Sequence, residues 1–342
     1  MSKKTEQCLL LALRTRRCKV PTQFLCYNIF EENCKDKGTI LIEQRRDNAC
    51  YLQFNSFQLF PNLIHGVFTR DGGYSKPPYQ GLNTLGSLHD GDNLDDVIRN
   101  RQLALHSLAI EDYPCVTLWN IHGADVHVLH VPDIHNNWRP DWAHHSYYTQ
   151  TWKPQEIHKG DALITQQRSV ALALSFADCT PITFYDPEAQ VIGIAHGGWR
   201  GTARGIVAAT VAAMTEHYGS MPSNIRAGIG PAIGPCCYEV SKNVQDLFMG
   251  RQHFEDMPTQ EQYRGLVRES AAFSTAQLFD RESLRLDLWE TNRRQLLMAG
   301  LLPEHIEVAA LCTSCHVDRF FSHRAEHGRT GRLPVIMALS EK

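Results

Sequence analysis

The stretch 174–201, LSFADCTPITFYDPEAQVIGIAHGGWRG, closes one apolar run (residues 170–176) and contains a second (residues 191–195). Runs of about 4–8 residues rich in Val, Ile and Leu and bounded by Asp, Pro and Gly read as buried strands rather than helices. Each run delivers a side chain that can bind a metal or attack a substrate, Cys179 after the first and His196 after the second. Loops leaving strand ends carry reactive groups on a rigid support, so this stretch is expected to organise both fold and chemistry.

The chain has 342 residues, 43% of them hydrophobic, which supplies a sizeable core for one large domain or two smaller ones. A formal net charge of −3 with 21% charged residues offers no field favouring nucleic acid or an anionic membrane. The apolar run near the N-terminus is interrupted by Arg14, Arg16 and Arg17 and lacks a small-residue cleavage site, so it does not read as a signal peptide. No stretch approaches the length of a membrane span, and the expectation is a cytoplasmic protein. Eleven Cys, an odd number with Cys236 and Cys237 adjacent, do not form a disulfide framework and read as free thiols in a reducing compartment.

Outward from the central stretch, residues 64–68 read as a strand entering a turn at residues 69–73, and Asp92 or Asn93 caps a helix to about Ser107. Residues 116–121 read as a strand delivering His122, and residues 126–131 as another. Residues 132–159 are polar and without period, an insertion loop. Residues 161–165 return to strand. After the central stretch, Thr202 caps a helix to about Tyr218. Residues 227–233 lead into a Gly/Pro-rich turn and Cys236-Cys237, and residues 244–248 and 288–299 read as helices, the latter ending at Gly300. Cys8, Cys18, Cys26, Cys34 and Cys50 are spaced too irregularly for a zinc ribbon and read as small buried hydrophobes.

His122, Cys179 and His196 each follow a strand beside small or turn-forming residues. A thiolate and two imidazoles are three ligands for a zinc ion with one position open, the catalytic arrangement; the same residues could form a Cys nucleophile with a His base. Spacing does not separate the two. Residues 197–202, GGWRGT, read as an anion site with Arg200 as a forked cation, or as a tight turn with Trp199 in the core. Cys312-Thr313-Ser314-Cys315-His316 matches the pattern for covalent haem, which needs an export signal that is absent here.

Taken together, HGVFTRDGG, GLNT, GDNLDDVIRNR, IHGADV, GDALIT, ADCTPI, AHGGWRGT, GIGPAIGPCCYEV, LDLWETNRRQL, CTSC, RFFSHR and TGR run in order from His65 to Arg332. This set resembles the YfiH/YlmD-like family, also labelled laccase-domain or polyphenol oxidase proteins, peptidoglycan editing factors and purine nucleoside phosphorylases. The chain departs from the usual pattern at Asn120-Ile121 and at Gly197, neither of which removes a ligand.

The resemblance implies an α/β (α+β) fold, a layered single domain with mixed β-sheets flanked by helices. Residues 61–342 would form the catalytic domain and residues 1–60 an N-terminal extension of uncertain structure. It further implies a zinc site of His122, Cys179 and His196 and phosphorolysis of adenosine, inosine and methylthioadenosine, with inorganic phosphate as co-substrate and adenosine deamination alongside. Arg70, Asn83 and Arg200 are the expected substrate contacts, and a homodimer is compatible with the sequence. The alternatives are a copper-dependent, laccase-like polyphenol oxidase, a Cys-His hydrolase, or a non-catalytic factor in peptidoglycan metabolism. None of the seventeen His has another two positions away, which removes the paired His-x-His ligands of a multicopper cluster, although soft Cys and imidazole donors would accept copper.

Overall fold

Side chains that alternate between two apolar environments along one strand require a layer on each side of the sheet. A computed structural model describes residues 41–85, 91–130, 142, 158–278 and 281–341. Strands and helices are numbered separately in chain order. The first sheet has the order β1 (Leu41–Arg46), β2 (Ala49–Phe54), β3 (Leu63–Gly72), β14 (Leu333–Leu339), β7 (Ala171–Phe176) and β4 (Cys115–Val116). In β7, Leu172 and Leu174 face one core while Ala171 and Ala173 face another, and β14 divides Val335 and Met337 from Ile336 and Ala338 in the same way.

The second sheet has the order β13 (Ile306–Val308), β10 (Arg226–Ile229), β8 (Thr180–Asp186), β9 (Val191–Gly197), β6 (Ala162–Thr165) and β5 (Val126–Val128). Its Leu163, Tyr185, Ile192 and Ile194 join Leu172, Leu174, Val335 and Met337 in a core between the two sheets. Helix α1 (Leu94–Ser107) covers the outer face of the first sheet with Leu103, Ala104 and Leu105. On the outer face of the second lie α3 (Ile206–Tyr218) and α6 (Leu288–Met298), through Ile206, Val211, Met214 and Leu296. Both sheets are mixed: β4 pairs parallel with β7, as do β5 with β6 and β13 with β10, and the other pairings are antiparallel. The expected layered α/β fold is therefore present. A hairpin of β11 (Phe273–Leu278) and β12 (Arg281–Leu286), α4 (Lys242–Phe248), α5 (Glu261–Ser270) and two 3-10 turns, Asn55–Leu59 and Pro303–His305, complete the described elements apart from one short helix at the site.

Several local expectations shift. Residues 69–72 belong to β3 rather than to a turn, because they run opposite β2 through a register shift between Ala49 and Tyr51, and positive φ begins only at Gly72 and Gly73. The strand expected over residues 116–121 stops at Val116, since Thr117–Asn120 leave the sheet. Thr202 does not cap a helix; it closes a single turn, α2 (Trp199–Thr202), and α3 starts only after Gly205 at φ 83°. Asn93 caps α1 as expected, accepting from the Asp95 and Asp96 amides. Residues 41–60, assigned to the extension, supply β1 and β2 of the first sheet, whereas residues 1–40 lie outside the described ones, as does nearly all of the 132–159 loop.

Candidate active site

Strands β7 and β8 are consecutive in sequence but lie in different sheets, so residues 177–179 must step from one layer to the next. Asp178 makes that step at φ 76°. Such a conformation costs an ordinary side chain energy and is more readily taken by Asp, Asn and His. Its carboxylate is fixed by the Thr313 hydroxyl and the Arg324 amide, both at 2.6 Å, and Cys179 follows at the seam between the sheets.

In the β8–β9 ladder Pro181 faces His196, which brings the imidazole beside Cys179. His122 arrives from a loop, also in the left-handed region at φ 58°. Buried Asp161 holds both histidines: it accepts from the His122 and Gly123 amides at 3.0 and 2.6 Å and meets His196 Nδ1 at 3.1 Å. Arg204, buried and ion-paired to Asp256 at 2.8 Å, donates to the His122 carbonyl. The structure thus brings together the three residues singled out from sequence, their ligand atoms all within 4.8 Å of one another.

The electrostatics of the group are tightly linked. Burial pushes the Cys179 thiol up, but the His196 and His122 imidazoles outweigh it and bring it down to about 6. Burial likewise disfavours a charged His196, and the Cys179 thiolate with Asp161 reverses this, raising it to about 10. Asp161 would also rise by burial, yet its bond to His196 and the two amides hold it below the usual carboxylate range. Gly198 permits the close approach, since a Cβ there would lie 2.7 Å from Cys179 Sγ.

These residues open onto a cavity of about 590 Å³, lined also by Trp119, Trp199, Tyr238, Arg200, Arg324 and Arg332. Among the expected substrate contacts only Arg200 lines it. Arg70 does not: its guanidinium stacks on Phe321 and is engaged by Glu326 at 3.1 Å, the Val317 carbonyl and the Gln80 carbonyl. Asn83 is fully buried and bonds Asp92, Leu85 and the Arg332 amide, so it positions two lining residues rather than lining the cavity itself. Asp161, His323, Arg324 and Arg332 were not singled out as site residues. The signal for them was their place in the GDALIT, RFFSHR and TGR motifs; 130 or more residues separate the last three from Cys179 in sequence.

Residues 64–340 match the sequence model of the family described as multi-copper polyphenol oxidoreductase laccase. The chain belongs to this family. Among relatives of this laccase-like family, the chain is 37% identical over 284 residues to "Purine nucleoside phosphorylase YlmD" of Geobacillus stearothermophilus, covering 83% of this chain and 92% of that protein. The protein of the same name from Bacillus subtilis is 34% identical over 279 residues, or 82% and 89% of the two chains. The crystal structure of YlmD from Geobacillus stearothermophilus superposes with a TM-score of 0.70 at 35% identity, over 88% of this chain and all of that one. The family match begins at the start of β3, so β1 and β2 lie before it.

Proposed function

We propose that residues 61–342 form a zinc-dependent purine nucleoside phosphorylase of the cytoplasm, acting on adenosine, inosine and methylthioadenosine and also deaminating adenosine. The observation that carries this reading is the convergence of His122, Cys179 and His196 in a cavity of nucleoside-ligand size whose lining also holds three arginines. The names of the relatives support the phosphorylase half. The donor set fits zinc: one thiolate drawn toward ionisation and two imidazoles, with His196 Nδ1 taken by Asp161 so that Nε2 remains for the metal. Bound there, zinc would supply a Lewis acid able to acidify a coordinated water toward neutrality.

The chain's own residues account for the rest. Arg200, Arg324 and Arg332 present forked donors that hold the phosphate dianion and align one oxygen with the anomeric carbon. A bond forms from that oxygen to C1′ while the C1′–N9 bond breaks, its electron pair leaving with the purine. His323, which lines the cavity, is assigned the proton that the departing base takes up; burial lowers its pKa, so the negative charge of the bound phosphate dianion must favour the protonated form for it to donate. Trp119, Trp199 and Tyr238 offer faces for the purine. For deamination, water adds at C6, the C6–N6 bond breaks and ammonia leaves. The copper reading finds less support: among the described residues the two groups able to hold a metal are one of two His and a Cys and one of four Cys, neither of them paired His-x-His.

The deciding experiment is incubation of metal-analysed protein with adenosine, with and without phosphate, resolving adenine, inosine and hypoxanthine. Adenine appearing with ribose 1-phosphate only when phosphate is present is the expected result. Base release that ignores phosphate, or none at all, refutes the phosphorylase assignment.

A further inference from the structure

Two turns far apart in sequence meet beside the active site. One follows β10, where Gly230–Pro235 leads into Cys236 and Cys237; the other follows β13 and carries Cys312-Thr313-Ser314-Cys315. The parallel bridge between Ala232 and Cys312 holds them side by side. All four sulfurs lie within 4.8 Å of one another, with Cys315 Sγ at 3.5 and 3.4 Å from those of Cys236 and Cys237, and all four are free thiols. Thiolates on a single tetrahedral zinc at ~2.3 Å stand ~3.8 Å apart. We propose that Cys236, Cys237, Cys312 and Cys315 form a closed tetrathiolate site for one zinc ion, separate from the His122, Cys179 and His196 group.

Two further features fit an ion rather than four packed thiols. The Gly234 amide donates to Cys312 Sγ at 3.2 Å, the kind of bond that stabilises sulfur carrying negative charge. Gly234 is held to this role by space, since a Cβ there would meet Trp289 at 2.5 Å and Cys312 Cβ at 3.2 Å. Arg285 places a guanidinium against the same turn, donating to the Cys236 carbonyl at 3.0 Å, and its positive charge opposes the net negative charge of a zinc tetrathiolate. None of the four cysteines lines the cavity, and with every position filled by protein the ion is structural. Each thiol that ligates gives up a proton, so the site tightens with rising pH.

The ion would act on the active site through the chain it ties. Thr313, between the two cysteines of the second turn, bonds the Asp178 carboxylate, and the Ile233 amide donates to the Asp178 carbonyl at 3.0 Å. Ile233 and Tyr238 flank the first cysteine pair and line the cavity, and His323 and Arg324 line it eight and nine residues beyond Cys315. The C-x-x-C-H sequence thus supplies two zinc ligands and no haem attachment.

The test uses the full chain with His122→Ala and Cys179→Ala combined, which removes the other ligand set. About one zinc per chain, measured by mass spectrometry of the native protein, is expected to remain, and adding Cys312→Ser should abolish it. Should the latter variant not fold, alkylation mapping of the unsubstituted chain decides: Cys236, Cys237, Cys312 and Cys315 should resist iodoacetamide until a chelator extracts the zinc. Absence of zinc from the double variant, iron in its place, recovery of the four residues as disulfides, or free alkylation in zinc-loaded protein each overturns the proposal.

Discussion

Asp161 is the residue on which the geometry of the triad turns, because one buried carboxylate orients His196 through Nδ1 and fixes the His122 backbone in a left-handed conformation. Asp161→Asn keeps the shape but loses the charge that favours the correct tautomer. Zinc affinity or turnover should fall roughly 10–100-fold, measurable by competition with a chromophoric chelator. Gly198→Ala should be nearly as damaging, since its methyl would overlap Cys179 Sγ. For Arg332, a charge-assisted contact to phosphate of about 1.5–3 kcal/mol means that Arg332→Ala should raise the phosphate KM by at least about tenfold, with a smaller change in kcat. A KM for phosphate unchanged in Arg332→Ala would remove it from the anion site.

Strand β3 carries a fully buried His65, whose Nε2 accepts from the Phe54 amide at 2.9 Å and whose pKa is lowered by burial to about 3. Below the ordinary His value the unfolded chain takes up this proton and the folded chain does not, so stability falls with pH between about 6.5 and 3. His65→Gln should flatten the pH dependence of unfolding in that window by about 1.4 kcal/mol per pH unit, as read from urea titrations. At β7, Leu174→Ala opens the core between the sheets and should cost about 2–5 kcal/mol. β7 and β9 were legible because Cys179 and His196 follow apolar runs of strand length, whereas β8, buried along its whole length between them, was not read as a strand. The seven-residue β14 is just as apolar, but Pro334 argues against a central strand on local grounds, and only its position near one end makes it compatible with pairing to both β3 and β7. Thr69-Arg70-Asp71-Gly72-Gly73 has the composition of a turn, and the pairing with β2 that overrides it is tertiary. That Arg324 and Arg332 join Arg200 at the cavity, and that the four cysteines cluster, was beyond reach for the same reason: contacts across 75 or more residues leave no period or spacing to read.

At the scale of the whole molecule, both sheets are assembled from strands distant in sequence, and the cavity lies where they meet. His122, Cys179 and His196 come from the middle of the chain, while His323, Arg324 and Arg332 come from the segment just before β14. β14 lies between β3 and β7 in the first sheet, yet every other strand of that sheet precedes it in the chain. During synthesis, therefore, β1-β2-β3 and β7-β4 cannot be joined into one sheet until residue 339 has left the ribosome, and any half-sheet formed before then keeps an unpaired edge. Unpaired apolar edges are where nascent chains associate wrongly or recruit chaperones. Ribosome-bound chains ending before Leu333 should remain protease-sensitive, while the full sequence held out of the ribosome on an added C-terminal linker should resist, with a single abrupt transition as the linker is lengthened. The fold is closed by its own late-made strand, which works as a keystone set after the arch has been raised from both sides.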